Sequence, residues 1–227
     1  MKELSRELGL DPVLLRARGV ADRAWEREWL RDFHAMRFGR RLWVCPHHEQ
    51  VDDPTAAVVR MDPGLAFGTG THATTALCLE WLDAHPPVDQ AVVDYGCGSG
   101  VLALAALRLG ARSASCFDID SQALIATRDN ADANGLSNRL RLCDSAAAIA
   151  RGADLVLANI LSGPLVALAP AFADILQASG MVVLSGLMER EAAEVTHAYE
   201  AWFDMCIFGV RESWVCLWGR RNGRPRE

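Results

Sequence analysis

The chain has 227 residues, 51% of them hydrophobic and 23% charged, which suffices for one full core with a few dozen residues over. A net charge of -6 argues against a general nucleic-acid binder, which needs a basic face for phosphates, and leaves a basic protein partner open. Seven scattered cysteines without a CxxC pair read as reduced thiols of a cytoplasmic protein, not as a disulfide frame or zinc site. His47 and His48 are adjacent and lack metal-site spacing, so no metal is expected.

The first dozen residues are of mixed charge, without the apolar run of a signal peptide. Residues 3–10 read as a short helix ending at Gly9 and 13–19 as a strand. Both are too short to fold alone and look like the tail of a larger α+β unit. Residues 25–38, rich in charge and aromatics, read as a helical connector. Two strands at 41–45 and 56–61 follow, with a polar loop between them that contains Pro46 and Pro54.

From residue 62 the pattern alternates. Short continuous apolar runs at 91–95, 113–117, 139–143, 154–158 and 181–185 have the character of parallel strands covered on both faces. Helical patterns at 101–109, 122–134 and 165–178 lie between them, and a further helix spans about 189–201. Strands at 204–210 and 213–219, separated by a short turn at Arg211 and Glu212, must be antiparallel. The uncharged stretch 155–173 contains Asn159, Gly163, Pro164 and Pro170, so it reads as a strand running into a packed helix, not a membrane span. The expected fold is α/β: a doubly wound, seven-stranded class I methyltransferase sheet closed by an antiparallel hairpin. Three parts are expected: a domain remnant at 1–24, a connector and strand pair at 25–60, and the nucleotide-binding domain at 61–227.

Gly96, Gly98 and Gly100 fall between the first strand of that domain and its helix, where the backbone can turn tightly beneath a ligand. Dinucleotide-binding proteins use the same position, so the fold does not choose the cofactor. Two details do. The dinucleotide pattern wants its third glycine at 101, which is Val101, and Asp94 would repel a pyrophosphate but attract the ammonium of a methionine moiety. S-adenosylmethionine is the expected cofactor. Asp118, closing the second strand, would accept hydrogen bonds from the ribose hydroxyls. Asp120 reads as a helix cap or a second ribose contact, and Asp144 as an adenine contact or a cap.

Asn159 ends the fourth strand on the side where an open sheet meets its ligand. Its carbonyl can accept an amine hydrogen and so aim the nitrogen lone pair, although it could also merely cap the turn. Base-amine methyltransferases commonly place an aromatic just after this position, to stack on an extruded base. Here Ile160, Leu161 and Ser162 follow, which favours an aliphatic amine. The segment 61–75 carries glycines at 64, 68 and 70 and reads as a shaped loop entering a helix near Thr74. Thr71, Thr74 and Thr75 could cap that helix or meet the cofactor; Phe67 could cover the cofactor or pack in the core; His72 is a candidate base.

At these residues the match becomes specific. MDPGLAFGTGTHATTALCLEWLD, DYGCGSGVLALAALRLGA, DIDSQALIATRDNADANG and ANILSGPL, in this order, resemble the ribosomal protein L-11 methyltransferase family. The likeness runs from about Trp25 to Arg221. It implies cofactor contacts at Thr75, Gly96, Asp118 and Asn159, to which the glycine-loop reading adds Asp94 and Gly98. It also implies N-methylation of lysine side chains and an N-terminal α-amine on ribosomal protein L-11. A monomer in the cytoplasm, with no direct contact to nucleic acid or membrane, fits this reading. Two departures stand out: Ala73 where the family usually has proline, and only about twenty residues before the connector, where family members carry a substrate-gripping domain. A cofactor-binding fragment with impaired catalysis, and a methyltransferase of another amine, are the alternatives. A nicotinamide oxidoreductase is disfavoured by Asp94 and Val101. A lysine is only about 0.04% neutral at pH 7, so the site must favour the uncharged amine.

Overall fold

The computed structural model describes residues 33–61 and 70–223. The chain divides into two units, Met1–Asp32 and Phe33–Glu227, and every described residue belongs to the second. The helix and strand expected at 3–10 and 13–19, most of the connector, and Phe67 lie outside the described residues.

Three short strands, β1 (Met36–Phe38), β2 (Leu42–Cys45) and β3 (Ala57–Arg60), form a small sheet, β1 antiparallel and β3 parallel to β2. The last residues assigned to the helical connector are therefore strand: Arg37 and Phe38 pair with Trp43 and Leu42 across the turn at Gly39. Asp83 locks this sheet to the main body. Its carboxylate accepts the backbone N–H groups of Arg40, Arg41 (3.0 Å) and Leu42 (2.9 Å) from the last turn of α1 (Ala73–Ala84).

The main sheet is built from β4 (Ala91–Tyr95), β5 (Ser113–Phe117), β6 (Leu140–Cys143), β7 (Ala153–Asn159), β8 (Leu176–Met188), β9 (Phe203–Arg211) and β10 (Trp214–Arg221). Their spatial order is β6-β5-β4-β7-β8-β10-β9, with β10 antiparallel to both of its neighbours. The expected seven-stranded doubly wound sheet with its closing hairpin is what forms. Helices α2 (Val101–Arg108), α3 (Ser121–Ala133), α4 (Ser162–Ile175) and α5 (Ala192–Tyr199) complete it. Strand β7 shows why its sequence is a continuous apolar run. Leu155 and Leu157 join a core with Trp81 of α1 and Leu104 of α2, while Val156 and Ala158 join one with Phe172 of α4 and Tyr199 of α5.

Some boundaries differ from the sequence expectation for local reasons. Helix α4 starts at Ser162, because Pro164 is tolerated in a first turn where backbone N–H groups lack helical partners. It stops at Ile175, and β8 begins at once. Residues 177–180 then loop out: the register advances two residues on β7 but five on β8 between Ala153–Leu176 and Leu155–Met181. A short 3-10 turn at Glu189–Glu191 precedes α5. The hairpin turn is at Glu212 and Ser213, one residue beyond expectation, both with positive φ (52° and 66°). That is the backbone of a tight two-residue hairpin, adopted here without the usual Asn-Gly at a cost of roughly 1–2 kcal/mol per residue.

Replacing Asp83 by Ala strands three backbone donors at a nearly buried position. It should lower stability by about 2–4 kcal/mol, read from urea unfolding curves at constant slope.

Candidate active site

The carboxyl ends of β4, β5, β7 and β8 finish along one edge of the sheet, where a doubly wound fold binds its ligands. After β4 the chain turns through the glycine loop 96–100 into α2. Both Gly96 and Cys97 donate backbone N–H groups to the Phe117 carbonyl (2.7 and 3.1 Å), and Gly98 donates to Asp118 Oδ2 (2.9 Å). From the other side, Thr127 Oγ1 donates to the Gly98 carbonyl (3.0 Å) and Asn130 Nδ2 to that of Ser99 (2.9 Å). The loop is thus held by the end of β5 and by α3. Thr127 and Asn130 escaped the sequence reading. Thr127 falls on the same buried helix stripe as Ala123 and Ala131, and a polar residue there signals a partner to be satisfied.

Asp94 is fully buried. Its Oδ2 accepts the backbone N–H of Ala103 (3.0 Å) in the first turn of α2, while its Oδ1 has no hydrogen-bond partner among the described residues. Burial pushes its pKa up to about 7, against the opposing Ala103 hydrogen bond, with the nearby Asp118 charge adding to the rise. Asp118 follows β5 directly. Its carboxylate accepts Gly98 N–H through one oxygen and Asp120 N–H (3.0 Å) through the other, leaving lone pairs for further donors. Asp120 is the N-cap of α3, its side chain accepting from Gln122 N–H (2.9 Å). Asp144 is exposed and accepts from the Ser145 hydroxyl (3.3 Å). Ile119, next to Asp118, is 95% exposed and so presents apolar surface beside the two acids.

Asn159 ends β7 opposite Ser185, and its Nδ2 donates to Thr75 Oγ1 (3.1 Å), 84 residues away in the chain. Thr75 itself is buried in the first turn of α1. That helix is capped by His72, whose Nδ1 accepts from Thr74 N–H (3.4 Å) and lies 2.8 Å from Thr74 Oγ1. The same ring meets Trp214 edge-on at 5.0 Å. His72 therefore serves the helix terminus. The residue after Asn159 is clamped from two sides. Gly186 has φ +86°, and a Cβ there would lie 2.3 Å from the Ile160 carbonyl oxygen; a Cβ on Gly96 (φ +78°) would lie 2.3 Å from Ile160 Cγ2. Ile160, read from the sequence only as a non-aromatic neighbour of Asn159, wedges between the glycine loop and the end of β8, and Asn159 is carried with it.

The model of the ribosomal protein L11 methyltransferase (PrmA) family matches residues 2–222. The chain belongs to that family. It is 49% identical over 206 residues to a ribosomal protein L11 methyltransferase of Shewanella baltica, covering 89% of this chain and 70% of that one. It is 50% identical over 202 residues to that of Mannheimia succiniciproducens, covering 88% and 69%. Among solved structures, the ribosomal protein L11 methylase of Lactobacillus delbrueckii subsp. bulgaricus superposes with a TM-score of 0.76 at 31% identity, covering 83% of this chain and 99% of that one. An RNA methyltransferase of Salinibacter ruber in complex with S-adenosyl-L-homocysteine shares the fold at 16% identity and TM-score 0.55, over 69% and 98% of the two chains. The cofactor of this methyltransferase family is S-adenosylmethionine, and the sheet edge fits it. An orphaned buried carboxylate oxygen suits a cationic methionine end, Asp118 retains acceptor capacity for hydroxyls, and Gly96, Gly98 and Gly100 take the positive φ values of a tight turn at the end of β4.

Between its ordinary value of 3.8 and about 7, folded Asp94 keeps a proton that the unfolded chain releases. Its contribution to stability is therefore full below that window, falls as pH rises through it, and levels off above. Asp94→Asn should remove this dependence. Urea midpoints at about pH 5 and about pH 8 should differ less for the variant than for the parent chain.

Proposed function

We propose that the chain is an S-adenosylmethionine-dependent N-methyltransferase of ribosomal protein L11, acting on lysine side chains, the N-terminal α-amine, or both. The observation that carries this reading is the Asn159–Thr75 hydrogen bond at the edge shared by the glycine loop and Asp118. Thr75, Asp94, Gly96, Gly98, Asp118 and Asn159 are proposed to hold the cofactor, with Asn159 also acting in catalysis. When bound, the cofactor supplies a methyl group already activated on a sulfonium.

The side chains then have three tasks. Thr75 occupies the Nδ2 end of the Asn159 amide, so the carbonyl end remains for the acceptor amine. A hydrogen bond from the amine to Asn159 Oδ1 points the nitrogen lone pair away from that bond and fixes its line of attack. Because an amide is neutral, it binds the uncharged amine without the Coulombic preference for ammonium that a carboxylate would impose. Asp118 would meet the ribose hydroxyls with its remaining lone pairs, while its bond to Gly98 N–H holds the glycine loop against the end of β5. Ile160, Leu161 and Ser162 place no aromatic beside Asn159, which supports a protein amine over an extruded base. The reading includes a cytoplasmic monomer; no helix of the described residues is long and apolar enough to cross a membrane.

Incubation of the purified chain with labelled cofactor and ribosomal protein L11 should transfer label to that protein; cofactor binding without transfer would overturn the enzymatic reading. Asn159→Ala should lower kcat by about 100-fold or more while changing cofactor affinity far less. Asp118→Ala should weaken cofactor binding by about 1–3 kcal/mol in calorimetric titration, from the lost hydrogen bonds to ribose.

A further inference from the structure

Beyond the end of β8 an open cavity of about 410 Å³ is lined by Met188, Glu189, Arg190 and Ser213. It lies on the same sheet edge as Asn159, because β7 and β8 are parallel with Asn159 opposite Ser185 and the cavity begins three residues further along β8. One strand spacing across and three residues along put Met188 roughly 11 Å from Asn159, backbone to backbone. The start of β10 closes the other side: Trp214 pairs with Met188, and Glu189 N–H donates to the Ser213 carbonyl (2.9 Å).

The charges around this cavity are unequally committed. Glu191 is spent on structure, its carboxylate accepting Met188 N–H (2.7 Å) and the Ser162 hydroxyl (3.0 Å). Those two hydrogen bonds hold its pKa below the ordinary value, and Arg190 adds a smaller Coulombic pull. Glu189 is exposed, and its carboxylate has no hydrogen bond or ion pair among the described residues. Met188 offers an apolar wall for a methylene stem beside that carboxylate. The lining is therefore an apolar wall, an uncommitted carboxylate and the Arg190 guanidinium, whose charge acts on Glu191; the wall and the Glu189 carboxylate together suit a lysine side chain.

We propose that this cavity is a second subsite for the polypeptide substrate, in which Glu189 receives the cationic side chain of a residue about three positions from the acceptor. An extended chain advances about 3.3–3.6 Å per residue, so three residues cover about 10–11 Å, and the length of the substrate and Glu189 side chains supplies the rest of the reach. This rests on the function proposed above and adds a rule to it: the acceptor lies in a segment with a second basic residue. The subsite acts on binding of the substrate, not on the methyl transfer itself.

The test uses the full chain and two fluorescein-labelled peptides, one with Lys-Ala-Ala-Lys and one with Lys-Ala-Ala-Gln, with binding read by anisotropy in the presence of S-adenosyl-L-homocysteine. The two-lysine peptide should bind about fivefold more tightly, and Glu189→Gln should abolish that preference while leaving cofactor affinity unchanged. Equal binding of the two peptides, no binding of either, or a preference that survives Glu189→Gln would overturn the subsite. Discrimination that depends on Glu189, in a chain that transfers no label to any amine, would instead sink the proposed methyltransferase activity and leave the subsite standing.

Discussion

The backbone of Ile160 lies so close to Gly186 that no side chain fits between them, and the arrangement of the site depends on that approach. Ile160 also fills the space beside Gly96 with its own side chain and donates its N–H to the Ser185 carbonyl. One residue thus ties together the ends of β4, β7 and β8. Interiors packed at crystal density transmit such constraints without slack. Asn159, the residue before it, cannot shift toward or away from the glycine loop unless the loop or β8 moves too.

The second layer of constraint is polar. Asp118 links the glycine loop to the turn after β5, Thr127 and Asn130 hold the same loop from α3, and Thr75 links Asn159 to α1. Each of these bonds satisfies a group that would otherwise be costly to bury. Asp94 is the exception. One of its oxygens is satisfied by α2 and the other is not, and the resulting desolvation raises its pKa. A polar group left unsatisfied in an otherwise well-paired region is consistent with a site that is completed by a cationic ligand.

Much of the architecture was legible in the chain itself. The runs at 91–95 and 113–117 coincide with β4 and β5 because both are short, apolar and bounded by turn signals. The match to the ribosomal protein L11 methyltransferase family agrees with what the glycine loop and the FGTGTH segment resembled. Boundaries went astray where long-range pairing overrides local preference. Apolar periodicity alone would carry α4 to residue 178, but the register of β8 against β7 ends it at Ile175 and expels residues 177–180. Likewise Met36–Phe38 is helical in pattern but becomes strand, because β2 offers its edge there.

By itself, the sequence determined which residues have the right chemistry: glycines for a tight turn, acids at strand ends, an amide at the end of β7. These are properties of residue type and local spacing, so they can be read without a fold. Only the tertiary structure decided how those groups are used. It brought Thr75 to Asn159 across 84 residues, buried Asp94 completely, and set Glu189 in a cavity beyond the end of β8. The physical reason is that hydrogen-bond partners, burial and charge environment depend on elements distant in the chain, and no local pattern encodes which of them will meet.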